Sequence, residues 1–208
     1  MRKQMKLSIK SVLVMLCLTL FLTACSDASI PEEGKQYVSL EVPLKDKRLS
    51  PVTEVFSLTC GHCRNLEKYL PVISELSGTE FGRLHITFNR AADNMARLYY
   101  AAEMQLAKAP NHSFMEELFT AVRINNKTQR EETITKLFAS QDLLNPYKFN
   151  NQLNQQLMAK MNQVRRLSER SAIHAVPTFI INGRYRLLIK GHKNPQQIAD
   201  TIKYLLNN

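Results

Sequence analysis

The chain opens with ten residues carrying Arg2, Lys3, Lys6 and Lys10, followed by an apolar stretch of eleven residues from Val12 to Leu22 that contains one threonine, Thr19. That length matches the core of a secretory signal and is too short to cross a bilayer. Residues 26–36 are polar and read as a tether. Tyr37 to Leu44 then reads as a first strand, and Pro51 to Leu58 alternates as a second strand should. From Gly61 to Ser77 the spacing becomes helical. Leu66, Tyr69, Leu70, Ile73 and Leu76 share one face, and Pro71 predicts a kink. Arg83 to Phe88 reads as a third strand.

The period then changes. Met95–Lys108, His112–Ile124, Glu131–Ser140 and Gln152–Arg170 all repeat apolar residues every three or four positions, with breaks at Pro110-Asn111, Asn125-Asn126 and Asn145-Pro146. Strand character returns from Pro177 to Asn182. Asn182-Gly183 predicts a hairpin into Arg184–Ile189. Asn194-Pro195 opens a last helix through Leu206, with proline near its start. The order is ββαβ, a helical block over 91–172, then ββα. It predicts an α/β fold with helices on a central sheet and an inserted helical subdomain, the sheet-bearing parts being 37–90 and 173–208.

Hydrophobic residues make up 44% of the 208, enough for a full core. The formal charge is +10. A chain starting at Cys25 keeps 24 basic against 18 acidic side chains, or +6. That surplus suits a solvated basic surface, an anionic lipid face or acidic clients. No dense Lys/Arg run interleaved with aromatics is present, which argues against a nucleic-acid partner.

The apolar run ends in Leu22-Thr23-Ala24-Cys25, which resembles a bacterial lipobox. The resemblance implies removal of residues 1–24, a diacylglyceryl group on the Cys25 sulfur, and a tether over 25–36. Several acyl chains would hold the protein on a bacterial membrane. Ser26, rather than an acid, follows the cysteine and favours the outer membrane. Of the four cysteines, Cys17 leaves with the signal and Cys25 carries lipid. The mature protein keeps Cys60 and Cys63, two thiols in an oxidising compartment.

Cys60-Gly61-His62-Cys63 follows a strand and opens a helix. Free N–H groups and the helix dipole at that point favour a Cys60 thiolate, and His62 adds a positive charge beside it. A stabilised thiolate stabilises the reduced form, so the disulfide is a stronger oxidant. Half of a zinc site is a competing reading. It lacks a second C-x-x-C, and His85, His112, His174 and His192 lack ligand spacing. A static disulfide is another, but so short a loop gains little from chain entropy.

Glu54–Cys63 (EVFSLTCGHC) and Ala175–Tyr185 (AVPTFIINGRY) together resemble the DsbA family of periplasmic dithiol oxidases, as do Glu33–Tyr37 and Ala199–Leu205. The resemblance implies a thioredoxin-like fold with an all-helical insertion. It makes Cys60 the exposed sulfur that exchanges with clients and Cys63 the buried resolving one. Val176-Pro177 becomes the cis-proline loop that pairs with a bound peptide. Glu54 becomes a proton relay for Cys63, with Arg83 where the family often has a lysine. Glu54 shares a strand face with Phe56 and Leu58, where an acid is costly unless used; the lesser alternative is a surface carboxylate at the edge or end of a strand.

The implied partners are cysteine-containing client proteins and a DsbB-like, quinone-linked membrane protein that reoxidises the pair. No metal or organic cofactor is implied, and a monomer is expected. Two features depart from the pattern. Gly61-His62 replaces the Pro-His of the best-known oxidases and matches the tetrapeptide of protein disulfide isomerase, which suggests a milder oxidant. The stretch from Leu188 to Pro195 is shorter than usual. An isomerase or reductase kept reduced by a membrane donor is therefore the nearest alternative. A non-catalytic lipoprotein presenting Cys60, His62 and Cys63 to copper or haem is a further one. If the lipobox reading holds, Cys25→Ser gives a soluble or unprocessed protein on cell fractionation. Correctly cleaved, fully membrane-bound mutant protein contradicts it.

Overall fold

A computed structural model describes residues 30–208 except 88, 172 and 174. The signal segment, the lipobox with Cys25, and His174 lie outside the described residues. Five strands form one mixed sheet in the order β1-β5-β4-β2-β3. The strands are β1 (Tyr37–Ser39), β2 (Val52–Phe56), β3 (Gly82–His85), β4 (Thr178–Ile181) and β5 (Tyr185–Leu187). β2 pairs with β3 in parallel and with β4 antiparallel. That placement makes β2 a central strand, and each of its residues is buried.

Between β2 and β3 the chain forms α1 (Gly61–Glu67) and α2 (Leu70–Ser77). One kinked helix was expected there, and the structure has two. Pro71 lacks an N–H, and its ring would strike the Glu67 carbonyl of a continuous helix. The chain therefore breaks at Lys68-Tyr69, and Pro71 falls in the first turn of α2, where no donor is needed. The break turns Tyr69 out of the apolar face on which the helical spacing had put it; it is 52% exposed. β1 stops short of the expected Leu44. Pro43 supplies no ladder donor, though the Leu44 N–H still reaches the Gly183 carbonyl at 2.7 Å.

The helical insertion comprises α3 (Arg90–Leu106), α4 (His112–Ala121), α5 (Lys127–Ala139) and α6 (Asn151–Arg170), with a 3-10 turn at Pro146–Lys148. Asparagine starts each of the four helices. The side chains of Asn89, Asn111, Asn126 and Asn150 each accept the N–H three residues on, at 2.8–3.0 Å. This satisfies a donor that the first turn leaves free. The breaks seen in the sequence at Asn111 and Asn126 are these caps.

Two apolar clusters sandwich the sheet. One joins β2 and β3 to the insertion through Phe56, Ile86, Tyr99, Met115, Leu118 and Phe119. Phe56 meets Tyr99 edge to face at 5.1 Å. The other packs α2 and the last helix, α7 (Pro195–Leu206), on the sheet through Ile73, Phe179, Ile181, Ile198 and Ile202. At edge strand β3, the Tyr100 hydroxyl accepts the His85 N–H at 2.9 Å and donates to the His85 carbonyl at 3.0 Å. A side chain from the insertion thus pairs a sheet edge that would otherwise be open.

The β4–β5 hairpin turns at Asn182 (φ 52°) and Gly183 (φ 64°), and the Arg184 N–H closes it onto the Ile181 carbonyl at 2.9 Å. Both central residues have the positive φ that a type I′ turn requires. At Gly183 a Cβ would also collide with the Leu44 carbonyl. Gly183→Ala is therefore expected to destabilise the protein by about 1 kcal/mol or more, read from the midpoint of denaturant unfolding; an unchanged midpoint contradicts this account of the turn.

Candidate active site

Cys60 caps α1. Its backbone is extended (φ −86°, ψ 119°), and its sulfur accepts the Cys63 N–H at 3.1 Å. Thr59 and His62 are exposed, Cys60 is half-buried and Cys63 is fully buried. Both thiols are free, so the pair is in its reduced form. The Cys63 thiol donates to the Cys60 sulfur, and the Cys63 and His62 N–H groups and the His62 charge add to it. Together they lower the Cys60 thiol to about 6 against the opposing effect of partial burial. Cys63 moves strongly the other way. Burial is the main cause, and its bond to Cys60 and the charges of Cys60 and Glu54 reinforce it. One turn of helix thus separates a ready thiolate from a thiol that holds its proton.

The Val176–Pro177 peptide is cis, and the Val176 carbonyl lies 3.5 Å from the Cys60 sulfur. The start of β4 therefore sits against α1, as expected of a loop that flanks the exchanging sulfur. Gly61 is open on its outer side. A Cβ there meets only Arg123 Nη2, at 3.9 Å.

Glu54 is fully buried on β2, not at a strand edge, which corrects the surface alternative. Arg83 Nη2 lies 2.8 Å from Glu54 Oε2, yet neither carboxylate oxygen has a well-aligned donor. Burial raises the Glu54 carboxyl to about 7. Arg83 opposes this, and the charges of Glu67 and Cys60 push it further up. A carboxyl poised near neutrality inside the protein is suited to giving and taking a proton.

Arg83 partners Glu54 as expected, but its fork is engaged elsewhere. Nη1 donates to Glu67 Oε1 at 3.0 Å and Nη2 to Glu67 Oε2. Glu67, fully buried at the end of α1, was not singled out in the sequence. It lies four residues after Cys63 and so on the same helix face, a signal available without a structure. His85 had been weighed as a metal ligand. It is instead a buried strut: its Nε2 accepts the Leu58 N–H at 2.9 Å and its Nδ1 donates to the Ile86 carbonyl at 2.9 Å. Burial lowers it to about 3, so it stays neutral and holds the chain two residues before Cys60. His192 likewise bonds the Leu188 carbonyl and Thr201 Oγ1. Among the described residues, no three His, Cys, Asp or Glu side chains gather as metal ligands would.

The insertion also reaches the site. Arg64 donates to Thr120 Oγ1 at 3.2 Å, and Arg123 Nη1 to the Phe119 carbonyl at 3.1 Å and the Leu58 carbonyl at 3.4 Å. No sequence spacing ties α4 to residues sixty positions earlier, so these contacts were not foreseen.

Comparison with known proteins agrees with this geometry. The family model described as Thioredoxin matches residues 47–204. The thiol:disulfide interchange protein DsbA of Salmonella typhimurium is 25% identical over 189 residues, spanning 84% of this chain and 88% of the relative. DsbA of Escherichia coli is 26% identical over 200 residues, spanning 89% and 93%. Among solved structures, Pseudomonas aeruginosa DsbA superposes with a TM-score of 0.65 at 23% identity, over 85% of this chain and 93% of that one. A cysteine-to-serine form of Proteus mirabilis DsbA, with the peptide PWATCDS bound non-covalently, superposes with a TM-score of 0.66 at 22% identity, over 86% and 100%. A family match over three-quarters of the sequence, joined by relatives aligned nearly end to end, places the chain in the thioredoxin family as a DsbA-like thiol:disulfide oxidoreductase.

Proposed function

We propose that the chain is an extracytoplasmic dithiol oxidase that introduces disulfides into cysteine-containing client proteins. The observation that carries this reading is the Cys60 sulfur at the start of α1. It is accessible and receives a thiol and two backbone N–H groups, while Cys63 three residues on is buried. A reduced form stabilised in this way makes the disulfide a willing electron acceptor.

In the proposed cycle a client thiolate attacks Cys60 Sγ of the oxidised protein. The Cys60–Cys63 bond breaks, and Cys63 leaves as a thiolate that takes a proton from Glu54. The client's second thiolate then attacks the client sulfur of the mixed disulfide, and Cys60 leaves as a thiolate. Two electrons have passed from client to protein. Val176 and Pro177 line the client's path to Cys60, a role supported by the cis bond between them and by the Val176 carbonyl 3.5 Å from the Cys60 sulfur. A DsbB-like membrane partner reoxidises the pair, with no metal or organic cofactor needed. Lipid on Cys25 anchors the protein in the periplasm, on the outer membrane by the Ser26 criterion. No described helix is long and apolar enough to cross a membrane.

The direction of electron flow has a direct test. In cells, an oxidase keeps Cys60 and Cys63 mainly as a disulfide, and a reductase or isomerase keeps them as thiols. Alkylation after acid quenching reads the difference, and a mainly reduced pair overturns the oxidase reading.

Two further outcomes follow from the sulfur chemistry. With Cys60 titrating near 6 and Cys63 far higher, reduction takes up two protons below pH 6 and one above it. The midpoint potential should then fall by about 59 mV per pH at acid pH and about 30 mV per pH at neutral pH, with the break near 6. A single slope through that range contradicts the assignment. The lowered Cys60 midpoint also stabilises the reduced fold. That contribution is complete above the ordinary thiol range and disappears as pH falls through about 6. The reduced form should therefore outlast the oxidised one in denaturant at pH 7 and lose that lead by pH 5.

A further inference from the structure

Glu54, the proton partner of Cys63 in the proposed cycle, must itself regain a proton after each transfer. Burial closes the direct route, since Glu54 and Glu67 are at most 1% exposed and the Arg83 side chain is 8% exposed. Two carboxylates therefore share one guanidinium in a buried site. Arginine does not release its proton, so the cluster carries one surplus negative charge when both acids are ionised. An unbalanced buried charge is costly and calls for a compensating proton.

The contacts limit where that proton can sit. Glu67 accepts both arms of the Arg83 fork, and its Oε1 also lies 3.0 Å from His112 Nδ1. Its two oxygens thus meet three donors. Burial pushes Glu54 toward its protonated form, and the ion-pair contact with Arg83 opposes this only in part. His112 is 35% exposed at the start of α4, with Nε2 3.7 Å from Glu116 Oε1. It has one buried and one exposed carboxylate as neighbours, and solvent reaches it.

We propose that a single proton neutralises the Glu54–Arg83–Glu67 cluster and is shared between Glu54, beside the redox sulfurs, and His112, at the surface. His112 thereby takes from solvent the charge that replaces the proton Glu54 gives to Cys63. This rests on the role of Glu54 in the proposed cycle. No proton crosses Arg83. When Glu54 gives up its proton, the surplus negative charge draws one from solvent onto His112, and the fork of Arg83 transmits the field. On reoxidation Cys63 returns its proton to Glu54, and His112 releases one. The groups that face this path are few. Glu54 meets Arg83 from β3, Glu67 and the two sulfurs from α1, and the buried Tyr99 hydroxyl from α3. His112 meets Glu67 from α1 and Glu116 on its own helix. Arg64 and Lys68 face Glu116 and Glu117 across the adjoining groove of about 360 Å³.

The test is a pH titration of the Glu54 carboxyl by ¹³C NMR in the reduced full chain, for the wild type and for His112→Gln, which keeps a donor for Glu67 and removes the charge. Without a charged partner at 112, Glu54 alone must neutralise the cluster. Its proton affinity should rise roughly tenfold and its midpoint move to higher pH. The acid limb of the rate at which Cys63 displaces glutathione from a mixed disulfide on Cys60 should move with it. Glu67→Gln removes the surplus charge. The Glu54 midpoint should fall in that variant, and adding His112→Gln should change it no further. An unmoved Glu54 midpoint in His112→Gln overturns the proposal, as does a His112 effect undiminished by Glu67→Gln. A midpoint that moves while the Cys63 rate profile stays fixed overturns the link to the sulfur. The NMR readout needs no client, so absent oxidase activity would count against the proposed function and leave this linkage to be judged by itself.

Discussion

Two sulfurs three residues apart differ in their access to water, and the chemistry of the site follows from that difference. Cys60 sits ahead of the helix, where N–H groups have no carbonyl partners. Cys63 lies one turn in, under the sheet and the helical insertion, where its own thiolate would be stripped of solvent. The same contact acts in opposite senses on the two groups. The Cys63 thiol that stabilises the Cys60 thiolate is itself held protonated by it. A pair built this way presents one sulfur to solvent and shields the other.

That arrangement needs a lid, and the insertion supplies it. Helix α4 lies against α1, and Phe119, Met115 and Leu118 complete the apolar wall behind Cys63. One face of this sheet is covered by α2 and α7. The other face of this sheet is closed by α3 to α6 with their run of asparagine caps. Closing it also buries Glu54, Glu67 and Arg83. Burying three ions costs several kcal/mol each before pairing offsets it. The bidentate fork to Glu67 recovers much of that cost, whereas Glu54 is left with an ion-pair contact alone. The acid nearest the sulfur chemistry is thus the one whose protonation is least settled.

Pro71 illustrates what local rules miss by a small margin. The kink it predicts is real, but the chain resolved it as a full break that also moved Tyr69 to the surface. Glu54 illustrates a larger limit. An acid among apolar residues on a strand leaves an edge carboxylate open beside a buried one, because β2's position in the sheet depends on which strands flank it. Only the order β1-β5-β4-β2-β3 makes it central. His85 and His112 looked alike in the sequence, as single histidines without ligand spacing. One proves to be a neutral strut under the sulfur loop, the other a half-exposed neighbour of a buried acid.

The sequence by itself determined the features that depend on neighbours along the chain. These are the C-x-x-C pair at a strand–helix junction, the periods of strands and helices, the Asn182-Gly183 turn, the asparagine breaks and the helical block. Each is set by backbone geometry and hydrogen bonding within a few residues. Tertiary structure alone decided which sulfur is buried to what degree, which carboxylates share Arg83, and that a histidine from the insertion closes that cluster. Those outcomes turn on desolvation and on charges brought together from residues 54, 67, 83 and 112. No local pattern encodes the dielectric in which such groups meet.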